Sequence, residues 1–227
     1  MKVSALGTQD VTTDRGRVRI VSTSRTDGDF QSKRPAPDLE TRRSEIVAAP
    51  WTWLTQVHSS DIVEVTTPGQ HAGTKADAAF TRSVGCPLSV TTADCGPVVL
   101  VASDGFAVVH AGWRGALAGI IQQTATKLLA TGSKPLLAYV GPMIGVSAYE
   151  FSPTDLRPLV QRFGTEIVGE TPEGKPALDM PRVVSIACAQ AGFEPSTPTS
   201  CTSEADYFSY RTRGEDERMA TVAWIDG

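Results

Sequence analysis

Apolar and polar positions alternate along most of this chain in blocks that are strand-sized rather than helix-sized. Residues 51–57 and 61–66 are rich in β-branched and aromatic side chains, and the break at His58-Ser59-Ser60 predicts two strands joined by a tight turn. Residues 68–75 hold glycines at 69 and 73 and read as a loop. Further strands are predicted at 76–81, 88–92 and 97–102. Asp104-Gly105 separates the last of these from the apolar run 106–110, which predicts a hairpin on a type I′ turn. Helical spacing first appears beyond Gly115, where Leu117, Ile120, Ile121, Thr124 and Leu128 recur on one face and Gly132 is placed to end the helix. A buried strand is predicted at 136–141. Ser152, ahead of Pro153 and three residues before Asp155, predicts an N-cap with proline at N1 for a helix to about Phe163. A later helix over 182–191 stops at Gly192, and 207–210 and 219–225 read as closing strands around a turn at Gly214. Residues 26–44 are polar, carry two prolines, and read as a loop leading into a short helix. Many strands, few helices and no regular βαβ alternation predict an α+β fold with a mixed sheet or a sheet sandwich. No repeat or linker divides the pattern, so one domain is expected over 1–227.

Composition narrows the function classes. Hydrophobic residues make up 41% and charged residues 20% of the 227, as in ordinary globular chains. Lys+Arg total 21 against Asp+Glu 25, a net charge of −4, which offers no basic excess for a nucleic-acid partner. No apolar run reaches membrane-spanning length, so no membrane partner is expected. The opening residues lack the apolar core of an export signal, and with four cysteines this predicts a cytoplasmic protein with reduced thiols rather than a disulfide framework.

The candidate chemistry sits at strand ends. Of three histidines, His58 and His110 each close an apolar strand, and Cys95 follows residues 88–92 in the same way. Two imidazoles and a thiolate suit Zn²⁺ with a fourth position open to water, and Cu²⁺ accepts the same donors. Each residue also has a structural reading: a strand-end histidine can simply be hydrogen-bonded, and a lone cysteine is commonly a small buried hydrophobe. Asp94 is either a turn residue ahead of Gly96 or a proton carrier beside Cys95. An aspartate next to a ligand can also orient an imidazole; a further aspartate, Asp77, lies in Lys75-Ala76-Asp77-Ala78. Arg114 can hold a phosphate or carboxylate, or pair with a surface acid. The aromatic segment around Tyr210 can stack a planar ring or fill core. His71 reads as a solvated loop residue, and Cys86, Cys188 and Cys201 as structural.

Taken together, TQVHSSDIVEV, KADAAFT, TTADCGPVVLV, VVHAGWRGALAGI, YVGPMIGVSAYEF and CTSEADYFSYRTRGEDERMATVAWI resemble the multicopper polyphenol oxidase-like family. The family is also called the laccase-domain or purine nucleoside phosphorylase family and includes the peptidoglycan editing factors. The resemblance covers residues 18–226. It implies two mixed sheets packed as a sandwich and flanked by helices, in α/β/β/α layers. It implies that His58, Cys95 and His110 ligate zinc, with copper as the other metal. It implies phosphorolysis of adenosine, inosine, guanosine and methylthioadenosine, with deamination of adenosine. A purine nucleoside and phosphate are then the expected partners of a monomer or homodimer. Arg42 matches a family arginine, although Thr41 stands where asparagine is usual, and the segment from Ser24 to Gly28 departs from the family pattern. On this basis Cys95, Asp94, Arg42 and Arg114 are the expected catalytic residues, and Arg42, Arg114 and Tyr210 the expected substrate contacts. Two rival activities belong to the same resemblance: removal of L-serine from a UDP-muramoyl amino acid, and laccase-like phenol oxidation. The second asks for more histidines than His58, His71 and His110. A non-enzymatic scaffold is a third reading.

Overall fold

Hydrogen-bonded pairing sorts the strands into two five-stranded sheets and one separate two-stranded pair. The computed structural model describes residues 7–197 and 200–226. In chain order the elements are β1 (Gly7–Thr13), β2 (Gly16–Ser22), α1 (Leu39–Ile46), β3 (Thr52–Trp53), β4 (Ile62–Val65), β5 (Ala78–Thr81), β6 (Leu88–Thr92), β7 (Gly96–Ala102) and β8 (Gly105–Ala111). Then come α2 (Trp113–Ala118), α3 (Ile120–Leu128), β9 (Pro135–Val140), α4 (Pro153–Phe163), β10 (Val168–Glu170), β11 (Pro176–Leu178), α5 (Met180–Gln190), α6 (Tyr210–Arg213) and β12 (Met219–Asp226). One sheet runs β1-β2-β12-β6-β3 and the other β4-β5-β8-β7-β9. Each is mixed, because β3 pairs parallel to β6 and β4 parallel to β5.

Alternate residues of each strand face different layers. Val18, Ile20, Leu88, Val90, Ala223 and Ile225 of the first sheet meet Val99, Val101, Phe106 and Val108 of the second. The next residues along the second sheet, Val98, Leu100, Ala107 and Val109, turn outward onto α3, α4 and α5 through Ile120, Leu128, Leu159 and Val183. On the outer face of the first sheet, Val21, Val222 and Trp224 pack with Phe30, Leu39 and Trp51, which seats α1. The layers are therefore helix, sheet, sheet, helix, the arrangement the resemblance implied. Strands β7 and β8 are buried on both faces along their whole length, which is why they read as unbroken apolar runs.

Several local expectations change. Residues 51–57 and 61–66 do not form a hairpin: β3 lies in the first sheet and β4 in the second, so His58-Ser59-Ser60 crosses between sheets. Beyond Trp53 the Gln56 side chain takes over the pairing with β6. Thr91 N–H donates to its Oε1 at 2.8 Å and its Nε2 donates to the Thr91 carbonyl at 2.7 Å. The β7–β8 hairpin forms with Ala102 opposite Gly105, but its turn is not type I′, because neither Ser103 nor Asp104 has positive φ. Gly105 is needed for another reason, since a Cβ there would lie 2.4 Å from the Thr81 carbonyl oxygen. The helix predicted from Gly115 begins at Trp113 and breaks at the left-handed Gly119 before resuming as α3. Ser152 caps α4 as expected, accepting from Asp155 N–H at 3.1 Å. Residues 207–210 are not a strand. Tyr210 opens the one-turn α6, capped by Ser209, because the buried Asp94 captures the Arg211 amide.

Phe106 is fully buried between the sheets, so Phe106→Ala is expected to cost about 3–5 kcal/mol of folding stability. Urea titration followed by circular dichroism measures it as a lowered midpoint with an unchanged slope.

Candidate functional site

The register of the β7–β8 hairpin brings two of the predicted donors together. Gly96 pairs with Ala111 and Pro97 with His110, so Cys95 and Gly112 are the next residues along the same ladder. His110 is on the inter-sheet face, buried, while Cys95 is half-buried at the strand entry. His58 arrives from the turn that crosses between the sheets and holds a left-handed backbone at φ 61°. One donor atom from each of the three lies within 4.8 Å of the others. Cys95 Sγ is 3.8 Å from His58 Nε2, and the two imidazoles meet edge to face with centroids 4.8 Å apart. Gly112 leaves room for this cluster: a Cβ there would lie 2.7 Å from His58 Cδ2 and 3.2 Å from Cys95 Sγ.

Charge in the cluster is shared between thiol and imidazole. Burial alone would raise the Cys95 thiol, but His110 and His58 outweigh it and hold the thiol down at about 6. Burial would lower His110, and the Cys95 thiolate and Asp77 reverse that, raising it to about 9. In the metal-free cluster the Cys95 thiolate and the His110 imidazolium therefore favour one another. Asp77, fully buried, binds His110 Nδ1 at 2.8 Å. Burial would raise its carboxyl too, yet His110 and the amides of Ser59 and Val57 hold it at about 2. With Nδ1 engaged, Nε2 is the His110 nitrogen left for a metal.

The cluster forms part of the wall of a cleft of about 360 Å³, lined also by Gln56, Trp113, Arg114, Tyr149, Tyr210 and Arg211. Lys33 and Arg218 reach the same cleft, so its lining carries four cationic side chains, Lys33, Arg114, Arg211 and Arg218, against the single carboxylate of Asp94. Arg114 is exposed and stacks on Trp113 at 4.2 Å, and Arg211 stacks on Tyr149 at 4.8 Å. Tyr210 lies at the cleft with 60% of its surface exposed.

Of the residues singled out from sequence, the cleft gathers His58, Cys95, His110, Asp94, Arg114 and Tyr210. Arg42 is not among its lining residues. Its guanidinium donates to the Asp29 carbonyl and to Asp38, each at 2.6 Å, and lies against Gly28. Asp94 has φ 95°, and its carboxylate accepts from Thr202 Oγ1, Ser209 Oγ and Arg211 N–H, each at 2.7 Å. It thereby ties the segment carrying Tyr210 and Arg211 to the loop carrying Cys95. Sequence reasoning passed over Lys33, Gln56, Arg211 and Arg218. Arg211 and Gln56 had local signals, their places beside Tyr210 and two residues before His58; Lys33 and Arg218 reach the cleft through chain-distant packing.

A buried hairpin that presents a thiol and an imidazole to a second imidazole on a strained turn is the framework of a candidate metalloenzyme. The chain belongs to the family described as multi-copper polyphenol oxidoreductase laccase, whose family model matches residues 36–226. It is 34% identical over 181 residues to purine nucleoside phosphorylase SCO2081 of Streptomyces coelicolor, covering 77% of this chain and 74% of that one. It is 31% identical over 180 residues to purine nucleoside phosphorylase YfiH of Escherichia coli, covering 76% and 73%. The crystal structure of Neisseria meningitidis protein NMB0706 superposes with a TM-score of 0.81 at 25% identity, covering 97% of this chain and 99% of that one. Among the described residues, His58, Cys95 and His110 are the one group of three or more donors able to hold a metal ion.

Two outcomes follow from this geometry. Gly112→Ala is expected to leave the fold intact, since φ −76° and ψ 162° suit alanine, while lowering metal affinity at least about tenfold by displacing the ligands; chelator competition reads this. In the metal-free protein, alkylation of Cys95 is expected to follow a titration centred near pH 6, against about 8.5 for an unperturbed thiol. Cys188, whose thiol burial pushes up to about 12, is expected to remain unmodified in the same mass-spectrometric experiment.

Proposed function

We propose that this chain is a zinc-dependent purine nucleoside phosphorylase that also deaminates adenosine. The observation that carries this reading is the charge of the cleft: four cationic residues line it beside a His–Cys–His cluster, in a chain of net charge −4. That arrangement suits an anionic co-substrate beside a metal-binding floor. The names of the relatives support the same reaction class.

The donor types suit zinc, and the one sulfur–nitrogen edge between Cys95 and His58 is near its spacing. A tetrahedral ion with Zn–S of about 2.3 Å and Zn–N of about 2.0–2.1 Å needs a sulfur–nitrogen edge of about 3.5 Å, close to the 3.8 Å between Cys95 Sγ and His58 Nε2. Held by His58, Cys95 and His110, zinc would supply Lewis-acid polarisation and an acidified water, the chemistry that deamination at C6 of adenine needs. Phosphorolysis uses the cluster and the walls together, with the ribose lying near His58 and His110. Arg114 and Arg211 hold phosphate so that one of its oxygens bonds to C1′ of the ribose as the C1′–N9 bond breaks. The bonding pair leaves with the purine, which takes up a proton. Tyr210 offers an exposed ring for the planar base. Asp94 already accepts three hydrogen bonds, which suits holding the Tyr210–Arg211 segment better than carrying a proton. Arg42, engaged with Asp29 and Asp38, serves to fix the loop before α1 in this reading.

The test is release of adenine and ribose-1-phosphate from adenosine, with and without phosphate, by zinc-loaded wild type and by Cys95→Ala and Arg211→Ala. Phosphate-dependent release is expected. Cys95→Ala is expected to abolish both phosphorolysis and deamination, and Arg211→Ala to raise the KM for phosphate about 10- to 100-fold, the worth of a charge-assisted contact. Loss of only one reaction in Cys95→Ala would break the shared site. No turnover of nucleosides, with phosphate-independent release of serine from UDP-muramoyl-serine, would move the function to amide hydrolysis.

A further inference from the structure

One buried carboxylate touches the supports of both histidines. Asp77 Oδ1 accepts from His110 Nδ1 at 2.8 Å and from the His58 amide at 3.0 Å. Its Oδ2 accepts from the Val57 amide at 3.1 Å, the Ser59 amide at 2.7 Å and the Ser59 hydroxyl at 3.0 Å. Five donors saturate a carboxylate that has about four lone-pair sites and no contact with solvent. The backbone of Asp77 is fixed as well: its N–H donates to the Asp61 carbonyl at 3.0 Å, and its carbonyl accepts from the His110 amide at 2.8 Å.

The three consecutive amides of Val57, His58 and Ser59 converge on an anion as in an anion-binding nest. That convergence holds the left-handed backbone of His58, a conformation that costs a non-glycine residue on the order of 1 kcal/mol or more. On the other side the same carboxylate fixes the ring of His110 and leaves Nε2 facing Cys95. His58 stands in the connection from β3 to β4 and His110 near the end of β8, and Asp77 is the group both share.

We infer that Asp77 is a positioning residue that sets both imidazoles of the cluster at once: the ring of His110 directly, and His58 through the backbone of its turn. The inference rests on the reading of the cluster as a metal site. It requires a carboxylate rather than an amide. With asparagine, whichever side-chain atom becomes NH₂ faces two or three N–H or O–H donors and repels them.

The experiment compares wild type, Asp77→Asn and Ser59→Ala, each checked for native circular dichroism, in two measurements. Zn²⁺ affinity is read by competition with a chromogenic chelator. The Nδ1 proton of His110 is read by NMR in the metal-free proteins, where a bond to a buried carboxylate holds it downfield and slow to exchange. Asp77→Asn is expected to weaken Zn²⁺ binding about 10- to 100-fold and to lose the downfield proton. Ser59→Ala, which removes one of the five donors, is expected to weaken binding about 2- to 10-fold and to keep that proton. A folded Asp77→Asn that binds Zn²⁺ like wild type overturns the inference. If Asp77→Asn does not fold, unchanged affinity in Ser59→Ala overturns it. Failure of wild type to bind Zn²⁺ sinks the metal reading, and the NMR signal still decides: a wild type without the downfield proton overturns the role of Asp77 as well.

Discussion

The register of one buried hairpin is the constraint on which the site depends. Strands β7 and β8 are covered by the first sheet on one face and by helices on the other, so a slip of one residue would exchange the two faces at every position. The native pairing sets Pro97 opposite His110 and Gly96 opposite Ala111. Cys95 and Gly112 follow from it without freedom. Gly112 then has to be small, because the space its side chain would fill holds His58 and Cys95. The site therefore inherits its geometry from the most deeply buried part of the fold, which is also the part least able to relax.

Electrostatics divides the site into layers. Deepest lies Asp77, solvated by five protein donors in place of water. Above it the imidazole of His110 and the thiol of Cys95 favour each other's charged forms, and the cleft lining carries Lys33, Arg114, Arg211 and Arg218. A buried carboxylate without its donors would be strongly destabilising, and the left-handed turn at His58 supplies three of them from successive amides. The hydrogen bonds from these amides thus offset both the strain of the turn and the burial of the carboxylate. Asp94 repeats the device on the other side, where a left-handed residue with three donors joins the Cys95 loop to the segment of Tyr210 and Arg211.

The strands that read as unbroken apolar runs were legible because double burial leaves no polar positions to confuse the period. The cap of α4 was legible because Ser152, Pro153 and Asp155 act within one turn. The failures have specific causes. A side chain, Gln56, replaced backbone pairing after Trp53, and a captured amide at Arg211 turned an apparent strand into a helical turn. Arg42 is not one of these: it carried a family signal, and its guanidinium is engaged by the Asp29 carbonyl and by Asp38. Lys33 and Arg218 line the cleft from segments whose local sequence says only that they are polar.

By itself the sequence determined the donor chemistry and the strand pattern. Two imidazoles and a thiol at strand ends, and apolar runs of strand length, are properties of residue type and spacing along a chain. Tertiary structure alone decided that residues 51–57 and 61–66 part into different sheets, so that His58 lies in the crossing between them. It alone decided that Asp77 serves both histidines, and which cations face the cluster. The reason is that ligand convergence is a matter of distance in space. Residues 58, 77, 95 and 110 are brought together by sheet register, by a strained turn and by hydrogen bonds to a buried carboxylate, and none of these is local in the chain.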